Sequence, residues 1–243
     1  MKDMPVWHDG EEFINSFLHG IAAIFSFIGT LYLCHLGIES HDIYRLIGNI
    51  IFGISLTMTY IISCLYHGST QDAFKRCRRY LDHCSVYILI AGSYTPFTLT
   101  VLRGKCGFSI LFLVWSIAIV GIVMKVFFFD LVDHYTVYLY IAMGWVIIPS
   151  IKTLSDNISK AGLILLFIGG MCYTVGALFY MHDHHIWFHT IFHIFIMIGS
   201  LFHYLTITRY CYSKIWIIWS RFTDWAKCLW LSYFLLYLNH EKI

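Results

Sequence analysis

Residues 186–207 read IWFHTIFHIFIMIGSLFHYLTI, a run without a single Lys, Arg, Asp or Glu but with histidines at 189, 193 and 203. A helix needs about 20 predominantly apolar residues to cross a bilayer, so this stretch is long enough. Ionisable groups inside such a span are costly and face the protein interior, where they mark function. The same run therefore states a solvent, lipid, and a question: what three imidazoles do there.

Working outward, six further apolar runs of similar length occupy residues 13–34, 46–66, 81–101, 107–126, 135–151 and 161–181. They are continuous rather than alternating in polarity, which argues against a β-barrel. The chain is 59% hydrophobic and 12% charged, with a mean hydropathy of +0.71. Soluble domains carry about 25% charged residues, so a water-soluble fold is excluded. The expected class is all-α: a polytopic membrane protein, a bundle of seven transmembrane helices filling 13–207. Residues 1–12 form an N-terminal segment and 208–243 a C-terminal tail. The tail's short apolar pieces, 215–219 and 228–238, suit either a tryptophan-rich interfacial helix or an eighth span.

A net charge of +2 selects no partner, and no basic stripe points to nucleic acid. Membrane lipids are the expected partners. Eight cysteines contain no CxxC pair, and most fall inside the spans, as buried thiols do. Residues 1–12 are acidic and lack the basic start of a cleavable signal peptide. Pro96 and Pro149 fall inside predicted helices, where a kink is expected. The densest basic loop, Lys75, Arg76, Arg78 and Arg79, places the junction of helices two and three in the cytoplasm. The N-terminus of this integral cell-membrane protein, in the inner or plasma membrane, is then cytoplasmic too.

Parity brings the embedded polar groups together. The end of helix two (Ser63, His67) and the start of helix three (Asp82, His83) share a face across one loop. An even number of crossings separates the start of helix three from that of helix seven, which carries His189 and His193. Residues four apart lie on one helical face, so His189 and His193 can offer two imidazoles to one ion, with His67 as a third. Neutral imidazoles suit zinc better than calcium or magnesium. Three protein ligands and an open fourth position form the catalytic kind of zinc site. Asp82 is then an outer acceptor or a base, and Ser63 lies one turn before His67. The competing reading is histidines that only hydrogen-bond between helices; it is the preferred one for His203. The loop cluster His182, Asp183, His184 and His185 reads as solvated. Glu12, Asn15 and His19 share one face of helix one, either as a brace for the site or as an interfacial polar stripe.

At these residues the chain resembles the hemolysin III family, the bacterial branch of the progestin and adipoQ receptor proteins. The resemblance is carried by Glu12-Phe-Ile-Asn15 with His19-Gly20, by Ser63-Cys-Leu-Tyr-His67, and by Leu81-Asp82-His83. It continues through Ile90-Ala-Gly-Ser-Tyr-Thr-Pro-Phe97 and His189-Thr-Ile-Phe-His193 with His203. It implies a seven-helix fold with zinc on His67, His189 and His193 near the cytoplasmic face. Asp82 would hold the zinc-bound water and Ser63 assist it. The related alkaline ceramidases, similar at these positions, hydrolyse a lipid amide. The tail after Thr208 departs from the family in being longer. Three functions follow as expectations: a zinc-dependent intramembrane hydrolase of lipid amides or esters, a receptor-like regulator of membrane lipid homeostasis with structural zinc, and a pore-forming cytolysin. The last has least support, because helices four to six offer few polar residues.

Overall fold

The computed structural model describes residues 9–69 and 73–211, and among them all regular structure is helical. The tail readings for 212–243 lie outside the described residues. The elements are α1 (Asp9–Glu39), α2 (Ile43–His67), α3 (Ala73–Leu99), α4 (Lys105–Phe127), α5 (Phe129–Gly144), α6 (Ile151–Asn157), α7 (Lys160–Tyr180) and α8 (Phe188–Tyr210). A 3-10 turn, Ile148–Ser150, precedes α6.

Surface and interior are exchanged relative to a soluble bundle. Phe13, Phe25, Phe112 and Phe167 lie on the outside, while Asn15, Asn49, Thr95 and Thr98 are fully or almost fully buried. Lipid contributes no hydrophobic drive between helices, so polar and small residues are turned inward, where they pack and find partners. Asn49, for instance, donates to the Leu33 carbonyl across the α1–α2 contact at 2.7 Å. The protein is a multi-pass membrane protein: six segments are long and apolar enough to cross, one of them, Tyr135–Asn157, covering most of α5 together with α6.

The expected span 81–101 is not among those six. It belongs to α3, 27 residues long, which starts with Lys75, Arg76, Arg78 and Arg79. Every residue from 91 to 102 is buried, and α3 packs against α2, α4, α5 and α8. A helix walled in by its neighbours meets little lipid, so it can carry Ser93, Thr95 and Thr98 that a peripheral span could not. It also packs closely on α2. A Cβ added at Gly48 would lie 2.8 Å from the Pro96 Cα, so only glycine fits there.

Three sequence expectations are corrected at the fifth segment. The run 135–151 is not one helix: α5 starts earlier, at Phe129, and stops at Gly144. Pro149 therefore lies in the 3-10 turn rather than inside an α-helix, and the expected loop 152–160 contains most of α6. Proline supplies no amide hydrogen, which favours a break, but the break needs other partners for its backbone. Tyr94 of α3 provides them. Its hydroxyl faces the Met143 and Gly144 carbonyls at 2.9 and 2.7 Å and accepts from the Ile147 amide at 3.2 Å. The Ser93-Tyr94-Thr95-Pro96 stretch thus organises both the α2 contact and the end of α5.

Of the seven described cysteines none is in a disulfide; Cys84 and Cys211 are buried, whereas Cys77 and Cys106 are exposed.

Candidate metal centre

The end of α2 and the first turns of α8 meet at one end of the bundle, bringing His67 to His189 and His193. All three are buried, and one potential ligand atom from each lies within 4.8 Å of the other two. Ring centroids are 4.5 Å apart for His189–His193, 4.8 Å for His67–His193 and 5.2 Å for His67–His189. The Nε2 atoms of His67 and His193 face each other at 3.0 Å. Two nitrogens bound to one tetrahedral zinc stand roughly 3.3 Å apart, given Zn–N bonds of about 2.0–2.1 Å. The His67–His193 spacing is close to that value, the third ligand atom lies within 4.8 Å of both, and donors that are all imidazole suit such an ion.

The His67 tautomer is set from outside the group. His67 Nδ1 lies 2.8 Å from Glu12 Oε2. A carboxylate only accepts, so the ring proton sits on Nδ1 and Nε2 presents a lone pair to the centre. This is how carboxylates orient histidine ligands and raise their basicity. Glu12 Oε1 in turn accepts from Lys75 Nζ at 2.7 Å, tying α1, α2 and α3 together. The preceding residue anchors the other ligand helix. Glu11, 3% exposed, accepts a short hydrogen bond from the backbone amide of Trp187. Trp187 stands immediately before α8 with φ of 71°, a left-handed conformation unfavourable for so large a residue. Consecutive carboxylates of α1 thus hold both helices that supply the imidazoles. Glu12→Ala is expected to weaken metal affinity about 10–100-fold, with Glu12→Gln retaining part of it, as read by competition with a chelator.

The remaining candidates are placed as follows. His19 packs edge-on to His193, with centroids 4.3 Å apart, and Asn15 is fully buried one turn earlier. Neither side chain has a hydrogen-bond partner among the described residues. This face of α1 is a brace against the site, not an interfacial stripe. Asp82, His83, Ser63, His19, His189 and His193 border one cavity of about 120 Å³. Ser63 lies beside the Asp82 carboxyl group without a hydrogen bond of normal length. Away from the histidines the walls turn apolar, with Val86, Leu89, Val137, Ile141, Phe192 and Ile196. His203 also lines the cavity and bridges α3, α7 and α8 through its ring, stacked on Tyr173 at 5.1 Å and edge-on to Phe97 at 6.4 Å.

A neighbouring ionic cluster was not foreseen from the sequence. Lys125 of α4, 0% exposed, bonds Asp133 of α5, which also meets Arg79 at 3.6 Å and His83 at 3.7 Å from α3. Lys125 and Arg79 both sit over the Phe129 ring, at 4.1 and 5.0 Å. The only available signal was a lysine in the last turn of an apolar helix. Closer to the site, Asp183 Oδ2 lies 3.9 Å from His189 Nδ1. Burial pushes the Asp183 carboxyl up to about 6, against the pull of Arg79.

Fold and site together define a polytopic helical membrane protein with a buried three-histidine group that can hold a metal ion. Comparison with known proteins sharpens the class. The haemolysin-III related family model matches residues 7–204. The chain is 36% identical over 201 residues to the hemolysin-3 homolog of Bacillus subtilis, covering 83% of this chain and 94% of that protein. It is 35% identical over 200 residues to hemolysin-3 of Bacillus cereus, covering 82% and 91%. A more distant relative, the human monocyte to macrophage differentiation factor, is 26% identical over 210 residues, covering 84% and 86%. No solved structure matches the chain. The chain belongs to the haemolysin-III related family.

Proposed function

We propose that the protein is a zinc-dependent intramembrane hydrolase acting on a lipid amide or ester. The observation that carries this reading is the cavity: it is bordered by two of the three imidazoles with Asp82 and Ser63, and much of the rest of its lining is apolar. A closed structural site needs no such space beside it, and an acyl chain would fit the apolar part. His67, His189 and His193 would hold the ion, and bound zinc supplies Lewis-acid activation of water and of a carbonyl.

The protein's own groups then divide the work. Glu12 keeps the His67 proton on Nδ1, so that Nε2 remains a ligand. Asp82 takes a proton at its carboxylate from the attacking water and returns it to the leaving group. Ser63 Oγ, buried without a hydrogen bond of normal length, donates to an oxygen bound between it and the histidines. The apolar wall excludes bulk water and seats the acyl chain. The basic run 75–79 lies at the same end of the bundle, which favours the cytoplasmic leaflet as the source of substrate.

The test is fatty-acid release from mixed membrane lipids by the purified, zinc-loaded protein. Asp82→Asn should lower turnover about 10²–10⁴-fold, the usual weight of general acid–base catalysis, with zinc content unchanged. Absence of turnover of any lipid class by fully loaded protein sinks the hydrolase. Metal removal that lowers only thermal stability would instead support a receptor-like regulator of membrane lipid homeostasis with structural zinc. The relatives' name, hemolysin-3, suggests a third reading, a pore, which predicts ion conductance from well-folded reconstituted protein.

A further inference from the structure

The turn between α7 and α8 carries three exposed imidazoles, His182, His184 and His185, next to a half-buried carboxylate, Asp183. Successive i→i+3 bonds shape it: His182 N to Phe179 O at 3.0 Å, Asp183 N to Tyr180 O at 3.2 Å and His185 N to His182 O at 3.1 Å. The three rings are consequently gathered on one side, with centroids 6.2 Å apart for His182–His184 and 4.2 Å for His184–His185. His182 Nδ1 lies 2.9 Å from the Leu178 carbonyl oxygen. A carbonyl only accepts, so the ring proton is on Nδ1 and the outer nitrogen, Nε2, keeps its lone pair. The arrangement copies in the open what Glu12 does for His67 inside.

Asp183 links the outside to the inside. It stands between the exposed histidines in sequence, its side chain is 33% exposed, and its Oδ2 is 3.9 Å from Nδ1 of the buried His189. A buried ion site needs an entry path as well as ligands. We propose that His182, His184 and His185 form a second, surface site for zinc or a similar imidazole-binding divalent ion, and that Asp183 passes the captured ion to the buried histidines. The transfer half of this proposal rests on the buried group being a metal site; the capture half stands on the turn alone. No bond other than metal–ligand contacts is made or broken. Exposed side chains can rotate to share one ion and release it again, whereas the buried set holds it by enclosure.

The experiment uses the full-length chain in detergent, stripped with a chelator and then given Zn²⁺, or Co²⁺ for its ligand-field absorbance. Wild type should show a fast ion that a chelator removes at once and a slower one that survives dialysis. The triple variant His182→Ala, His184→Ala, His185→Ala should lose the fast ion and fill the tight site about tenfold more slowly, the lower end of the on-rate gain from local concentration of an ion. Asp183→Asn should keep the fast ion and slow the second phase. His193→Ala should keep the fast ion and lose the tight one. Equal loading rates in wild type and the triple variant, or no fast ion in His193→Ala, overturn the proposal. If wild type retains no tight ion, the buried-site reading falls and the transfer with it. A fast ion still held by His193→Ala would show that the failure lies there and not in the turn.

Discussion

His193→Ala is expected to abolish tight metal binding and, with it, lipid turnover. The residue is 3% exposed, and its Nε2 faces that of His67 at 3.0 Å. Removing an outer-shell partner already costs about 10–100-fold in affinity or activity, and loss of one of three ligands exceeds that. Metal analysis after dialysis should fall from about one tightly held ion per chain to background, the open catalytic kind of site needing all three protein ligands. Retention of a tight ion at wild-type affinity would end the three-histidine assignment. Removing the ion from wild type with a chelator should reproduce the loss, and added zinc should reverse it in wild type alone.

The second large effect concerns stability rather than chemistry. Lys125→Met leaves Asp133 without its closest cation in a place where Arg79 and His83 reach it only at 3.6 and 3.7 Å. Breaking one side of a buried ion pair costs about 3–5 kcal/mol, because the remaining charge is stranded. The remaining Arg79 contact argues for the lower end, about 3 kcal/mol. The protein should therefore melt well below wild type in detergent. Lys125→Met with Asp133→Asn should recover most of the loss, since no charge is then left alone. A single variant as stable as wild type would show that the pair contributes nothing to joining α4 and α5. The same cluster presents α3 to the site: Tyr140 donates to the His83 carbonyl at 2.6 Å, one residue from Asp82. Reduced stability should thus be accompanied by a looser cavity.

How much was legible in advance differs from element to element. The spans that contact lipid were read to within about one residue at both ends of α7 and at the ends of α2 and α4, and to within about three at the starts of α2 and α4, because lipid demands apolar side chains over a length set by the bilayer. α3 was found as a run, yet its true extent and its buried surroundings were not. A helix surrounded by protein is under no such demand, so its charged first turns concealed where it begins. The break after Gly144 was also hidden. Pro149 pointed to an irregularity, but the Tyr94 hydroxyl that accommodates it comes from about 50 residues away in the chain.

The site divides in the same way. Composition and the four-residue spacing of His189 and His193 were sufficient for a membrane bundle with two imidazoles on one helical face. Counting crossings was sufficient to send His67 and Asp82 to the same end. Those are one-dimensional properties, period and parity, and a linear text carries them completely. Which carboxylate orients His67, that Glu11 holds the left-handed Trp187 at the head of α8, and that Lys125 closes on Asp133 were decided only when the helices packed. Each joins groups from different elements, and such pairings depend on helix rotation and depth, which apolar periodicity leaves free. Lipid solvation determined roughly where the lipid-facing helices would lie; close packing of their polar faces determined what those helices hold.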